Sequence, residues 1–210
     1  MTTAQNTSAA LPDAPEPTWD VAYLYPDQGT WSEQEYLALN ANRLVEFSHG
    51  FVDVLVMPTQ SHQLIVGLLY RALSAFVDER QLGTILFAPM RVRLWPGKFR
   101  EPDVMFMLAQ GGDRMGEQFW EGADLVIEVV SDDVRRRDLH TKRREYARAA
   151  VGEYWIVDPR ERRVTVLTLA GQSYAVHGEF TAGDQATSVL LNGFKIGVSK
   201  ILEPTGTTSS

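Results

Sequence analysis

The stretch Asp124-Leu125-Val126-Ile127-Glu128-Val129-Val130-Ser131 decides how the rest of the chain is read. Apolar residues occupy both faces of this extended run, as in a strand of a sheet covered on both sides. Side chains alternate along a strand, so Glu128 shares a face with Val126 and Val130, where nothing local offers it a partner. An isolated buried carboxylate is costly, and such groups are normally paired, protonated or bound to a cation. The remainder of the chain must supply a companion.

The next segments give the candidates. A helix expected over roughly Val134 to Ala150 has Leu139, Tyr146 and Ala150 on its buried stripe, and Lys142 falls on that same inward face. Arg143, Arg144 and Arg148 point elsewhere. Upstream, Asp103 follows Pro102 and shares a strand face with Met105 and Met107. Two acids and a lysine could share a polar pocket. Carboxylates that meet on one hard cation favour Mg²⁺, which takes oxygen ligands and keeps several waters. A metal so held can polarise a phosphodiester and activate its own water, and a nearby ammonium can steady developing charge. The same residues also fit a plain ion pair of Lys142 with Glu128 or Asp138, or a metal-free carboxylate dyad acting on glycosides.

Working outward, a capping box at Ser32 and Glu35 opens a short helix. Two apolar runs, Leu44 to Phe47 and Phe51 to Met57, flank Ser48-His49-Gly50 as a hairpin. A helix is expected from Ser61 to Arg80, stopped by Gly83, and then Thr84 to Ala88 and Met90 to Trp95, interrupted by Pro89, as one bent strand or two short ones. Pro102 to Leu108 is extended, and Gln110 to Glu121 reads as a surface loop with a helical turn. Beyond the central strand–helix–strand unit, Arg163 to Leu169 and Ser173 to His177 pair as a hairpin, and Leu190 to Val198 completes the sheet edge. Hairpins mixed with a strand–helix–strand unit give an α/β (α+β) class, a mixed sheet flanked by helices. The organisation expected is one domain over residues 18–203, with disordered tails at 1–17 and 204–210.

Composition narrows the function classes. A chain of 210 residues with 44% hydrophobic and 22% charged residues suits a soluble single domain with a full core. The absence of cysteine excludes disulfides and thiolate metal sites. No apolar run approaches a bilayer span and the N-terminus has no signal-peptide pattern, so a cytoplasmic protein without membrane contact is expected. The net charge of −7 argues against indiscriminate coating of nucleic acid. Basic residues nevertheless crowd positions 135 to 148, a patch that fits either a solvated helix face or a phosphate-facing one.

Pro102-Asp103 followed by Glu128-Val129-Val130 is similar to the PD-(D/E)XK core of restriction-endonuclease-like nucleases, although Val130 stands where the lysine usually does. The longer pattern comprises the strand 124–131, Asp138, Lys142, Tyr146 and Val151-Gly152-Glu153-Tyr154-Trp155-Ile156-Val157-Asp158-Pro159. With Arg43-Leu44-Val45-Glu46 and Ser61-His62, it resembles the Uma-type family of restriction endonucleases over most of the chain. The resemblance implies a restriction-endonuclease-like fold and a Mg²⁺ (or Mn²⁺)-dependent DNA endonuclease working as a homodimer. It implies metal binding by Asp103, Glu128, the Val129 carbonyl and the early acid Glu46, with Lys142 as the migrated lysine. His62 and the arginines Arg135, Arg136 and Arg143 would contact DNA, and residues 163–177 are the candidate dimer hairpin. One departure is Ser131-Asp132-Asp133, where the family often has Ser-Pro.

Overall fold

Strands between Gly83 and Thr181 that alternate their side chains between two apolar layers build the centre of the molecule. In the computed structural model, residues 25–39, 44–131 and 137–203 are described, the side chains of 137–139 excepted. In chain order the elements are α1 (Glu33–Ala38), β1 (Val45–Ser48), β2 (Phe51–Val54), α2 (Gln60–Arg80), β3 (Gly83–Phe87), β4 (Arg91–Trp95), β5 (Lys98–Arg100) and β6 (Val104–Leu108). After a 3₁₀ segment, Ala109–Arg114, come β7 (Phe119–Glu121), β8 (Leu125–Val129), a π-helical turn (Arg137–Lys142), α3 (Arg143–Arg148) and β9 (Glu153–Asp158). The chain continues with β10 (Arg163–Ala170), β11 (Ser173–Thr181), β12 (Gln185–Thr187), β13 (Lys195–Gly197) and α4 (Val198–Leu202).

The large sheet has the order β11-β10-β9-β8-β6-β3, and a second sheet runs β2-β1-β5-β4-β7. β8 and β9 are parallel, joined through α3, while β8 and β6 are antiparallel. Alternation sorts the residues of β6, β8 and β9. Val104, Phe106, Leu125, Ile127, Val129, Trp155 and Val157 pack on the Leu69, Leu73 and Val77 stripe of α2. Met105, Met107, Val126, Val130, Tyr154 and Ile156 pack on Tyr146 and Ala147 of α3 and on Val92, Leu94 and Trp120. A third cluster, Trp31, Tyr36, Val45, Phe47 and Phe99, joins α1 to the small sheet. Glu128 and Asp103 belong by phase to the α3 side.

The capping box at Ser32 forms as expected. The β1–β2 hairpin turns at His49 and Gly50, both at positive φ (48° and 87°). The structure corrects three other expectations and decides a fourth. The stop of α2 is Gln81, itself left-handed, and Gly83 instead lies in β3, where a Cβ would come within 2.0 Å of the Met107 carbonyl oxygen. Of the two alternatives for 84–88 and 90–95 the structure has two short strands, β3 and β4, which belong to different sheets. Residues 110–121 hold a strand, β7, paired in parallel with β4. Leu190 to Val198 does not extend the large sheet; β12 and β13 form their own two-stranded sheet. The expected tails at 1–17 and 204–210 lie outside the described residues, as do Arg135 and Arg136.

Candidate active site

Register brings the acids together. Val104 pairs with Ile127 and Met105 with Val126, so one step further along the ladder Asp103 lies beside Glu128. Asp103 Oδ2 accepts the Val129 N–H at 2.7 Å and lies 3.3 Å from His62 Nε2. Among the described residues, Oδ1 of Asp103 has no hydrogen bond. His62 comes from the first turn of α2, whose N-cap Thr59 takes the His62 N–H. Burial works against a charged imidazole. The Asp103 carboxylate, with smaller help from the Val129 carbonyl and Glu128, more than offsets this and holds His62 above the usual histidine range.

Glu128 is 3% exposed and has its partners on the helical segment that follows it. Lys142 Nζ lies 2.7 Å from its Oε2, and the Tyr146 hydroxyl donates to Oε1 at 2.6 Å. Lys142 and Tyr146 are four residues apart on one face, which is why both reach the same carboxylate. Burial, then the Glu128 charge, keep the Tyr146 hydroxyl protonated far above the ordinary tyrosine value. Behind Lys142, Glu46 approaches it at 3.7 Å and also receives Arg100. Arg100 continues to Glu145 at 2.6 Å, and Glu145 takes Lys98 at 2.7 Å. The result is a buried ladder of alternating charges running from β8 through β1 and β5 to α3.

Leu44, Leu55 to Thr59, His62, Glu101, Asp103, Glu128, Val129, Ser131 and Lys142 line a single open pocket. Val56 and Met57 form an exposed apolar lip, 62% and 61% accessible. Sequence reasoning did not single out Glu101, Arg100, Lys98, Glu145 or, as a site residue, Tyr146. Glu101 directly precedes Pro102-Asp103, a run that could have drawn notice. It accepts the Val45 N–H at 2.9 Å and faces Arg91 at 3.4 Å. Burial raises its pKa to about 7, against the lowering pull of the Val45 N–H and Arg91.

The structure unites Asp103, Glu128, Val129, Lys142 and His62 of the expected set in this pocket. Two members stand elsewhere. Glu46 does not line the pocket, because Arg100 and Lys142 draw its carboxylate into the ladder. Arg143 donates to the Tyr174 carbonyl at 3.2 Å, tying α3 to β11. Among the described residues, no three His, Cys, Asp or Glu side chains are placed to share one cation. The donors that line the pocket are nonetheless hard oxygens on adjacent strands. They fit an ion of the Mg²⁺ type, commonly held by one or two carboxylates together with waters and substrate phosphates.

A mixed sheet with paired acids at neighbouring strand ends and an inward lysine on the next helix makes this an α+β protein of the restriction-endonuclease-like architecture. The profile of the Uma2 family, described as putative restriction endonucleases, matches residues 31–199, and the chain belongs to that family. It is similar in fold to a crystal structure described as a putative nuclease belonging to DUF820, from Anabaena variabilis ATCC 29413. The TM-score is 0.68 at 15% identity, over 82% of this chain and 98% of that one. No curated protein matches the chain. No helix among the described residues is long and apolar enough to cross a membrane.

Proposed function

We propose that the pocket is the active site of a Mg²⁺-dependent DNA endonuclease. The observation that carries this reading is the meeting of Asp103, Glu128 and Lys142, from three different elements, in one open pocket. Asp103, Glu128 and the Val129 carbonyl would hold Mg²⁺ or Mn²⁺. When bound, such an ion polarises a phosphodiester and lowers the pKa of a coordinated water. Lys142, fixed between Glu128 and Glu46, presents an ammonium that orients the attacking water and balances charge gathering on the phosphoryl oxygens. His62 orients Asp103 through Oδ2, which leaves Oδ1 for the ion. Glu46 serves here as a positioning group for Lys142 rather than as a ligand. Cutting both strands from one short domain calls for a homodimer, for which the β10–β11 hairpin with its edge strand is the candidate contact.

Supercoiled plasmid with Mg²⁺ or Mn²⁺ tests the reading. Wild type nicks it, and Asp103→Ala and Glu128→Ala do not; equal nicking by all three removes the proposal. A second reading, a nucleic-acid or protein binding module that keeps the fold without cutting, draws on one observation. Glu128 is already engaged by Lys142 and Tyr146, so an ion must compete for it. Calorimetric titration with Mn²⁺ separates the two: heat lost in Asp103→Ala supports the enzyme, and no heat in wild type supports the module.

A further inference from the structure

We infer that the helix carrying Lys142 has a second working face, a subsite for backbone phosphate of duplex DNA formed by Thr141, Arg144 and Arg148 beside Trp95. The identity of the ligand rests on the nuclease reading; the subsite itself rests on geometry. Thr141, Arg144, Glu145, Arg148 and Trp95 line one depression on the surface. Positions 141, 144, 145 and 148 recur at three- and four-residue spacing and so share a helical face. Lys142 and Tyr146 occupy a different face, turned into the active site. One short helical segment therefore separates the acid pocket from an arginine-lined depression.

The charge balance of this depression is unusual for an acidic chain. Glu145 is its acid, and that carboxylate is spent inward: Oε1 receives Lys98 at 2.7 Å, and Oε2 receives both Nη2 and Nε of Arg100, at 2.6 and 2.8 Å. Among the described residues Arg144 and Arg148 form no ion pair, and both are exposed. Two uncompensated guanidinium groups thus stand together in a protein of net charge −7. Like charges on neighbouring turns of a helix repel, so an anion placed between them relieves a strain already present in the fold.

The site is also organised. The Arg148 guanidinium lies over the Trp95 ring, 4.2 Å from its centroid, so it is held in place before any ligand arrives. The indole is held in turn by Trp95 Nε1 donating to His49 Nε2 at 3.4 Å. An arginine stacked in this way keeps its edge donors available, and the planar fork matches two oxygens of a phosphate. Thr141 adds a hydroxyl. These groups suit a phosphodiester anion, and a contact to phosphate positions DNA without specifying sequence. Arg148 lies six residues beyond Lys142, ~9 Å along a helix axis, within the footprint of a few base pairs at about 3.4 Å each.

The test is fluorescence anisotropy with a labelled DNA duplex in Ca²⁺ buffer over a salt series, beside plasmid nicking by the same preparations. Each phosphate contact contributes about 0.9 to the slope of log affinity against log salt. Arg144→Ala/Arg148→Ala is therefore expected to flatten the slope by about 1.8 and to weaken binding tenfold or more at low salt. Arg148→Lys keeps the slope but weakens binding, because the stacked plane is lost. Arg80→Ala/Arg162→Ala removes the same charge from two exposed arginines that pair with Glu79 and Glu203, and leaves the slope unchanged. If both double variants shift alike, or neither shifts, the subsite is overturned. Nicking by wild type with unaltered slopes removes the subsite and spares the nuclease. The slope change without nicking removes cutting and spares the subsite. A wild type with no affinity for DNA, or one for which duplex RNA competes equally, overturns the assignment to DNA.

Discussion

Adjacent parallel strands each bury a glutamate, and the protein treats the two in opposite ways. Glu153 of β9 faces the α2 side and accepts three neutral donors: Trp155 Nε1 at 2.6 Å, Val189 N at 2.7 Å and Leu190 N at 2.8 Å. Glu128 of β8 faces the α3 side, opens onto a pocket and, among the described residues, is held by the side chains of Lys142, through its ammonium, and Tyr146, through its hydroxyl. Backbone N–H groups cannot swing away, so Glu153 is locked as a brace that anchors the C-terminal segment to the large sheet. Lysine and tyrosine side chains can release a carboxylate when another cation arrives. Burial of an acid is therefore no sign of function in itself; the kind of donor that satisfies it, and access to a cavity, separate brace from site.

This contrast can be broken or sharpened by substitution. The largest expected effect is on chemistry: Lys142→Met lowers nicking by about 10²–10³-fold, the loss typical when a group that stabilises transition-state charge is removed. Lys142→Arg, which keeps the charge with the wrong shape, recovers little of it. Glu153→Ala is expected to do the reverse. It leaves the buried Trp155 Nε1 and the part-buried N–H groups of Val189 and Leu190 without their acceptor, at about 1–3 kcal/mol for the first and about 1 kcal/mol for each of the others, so a total near 3–5 kcal/mol and a Tm lower by about 10 °C follow, with nicking per folded molecule unchanged. Denaturant melts beside activity normalised to folded protein check both variants, and a Glu153→Ala protein that is stable but inactive would erase the distinction.

Glu101 yields a pH signature between these extremes. Its folded-state pKa of about 7 stands above its ordinary 4.5, so the folded protein holds this proton more tightly than the unfolded chain. Stability from this group is present below about pH 4.5 and is lost as pH rises through 7. Glu101→Gln removes that loss. Relative to wild type it should gain about 2–3 kcal/mol above pH 7, shrinking toward nothing near pH 4.5, as read by denaturation in EDTA. A gain that is the same at both ends of the range would show that Glu101 is not the titrating group. The smallest effect is at the surface, where Glu35 shares the capping box with Ser32. Ser32→Ala should cost about 1 kcal/mol and leave nicking intact, since α1 touches neither buried glutamate.

Much of this arrangement was legible beforehand. Period-two alternation through 124–130 put Glu128 on one face with Val126 and Val130, and helical phase put Lys142 inward, both as observed. Asp103 followed from Pro102 and the Met105, Met107 face. What could not be read was which acids share a pocket. Glu46 and Glu101 look alike as charges at strand ends, yet Arg100 takes the first into the ladder while the second lines the cavity. Arg100 itself comes from β5, a strand of three residues whose place beside β1 depends on pairing across more than forty positions. Likewise β7 announces itself by no local pattern, because its partner is β4 in parallel.

By itself, then, the sequence determined the two-sided burial of β8, the inward face of Lys142, and the family to which the chain belongs, since each follows from local periodicity or a contiguous motif. Only the tertiary structure decided the division into separate sheets, the partners of Glu46, Glu101 and Glu153, and the stacking of Arg148 on Trp95. Those depend on which distant segments meet, and a carboxylate or guanidinium acquires its role from the neighbour it meets rather than from its place in the chain.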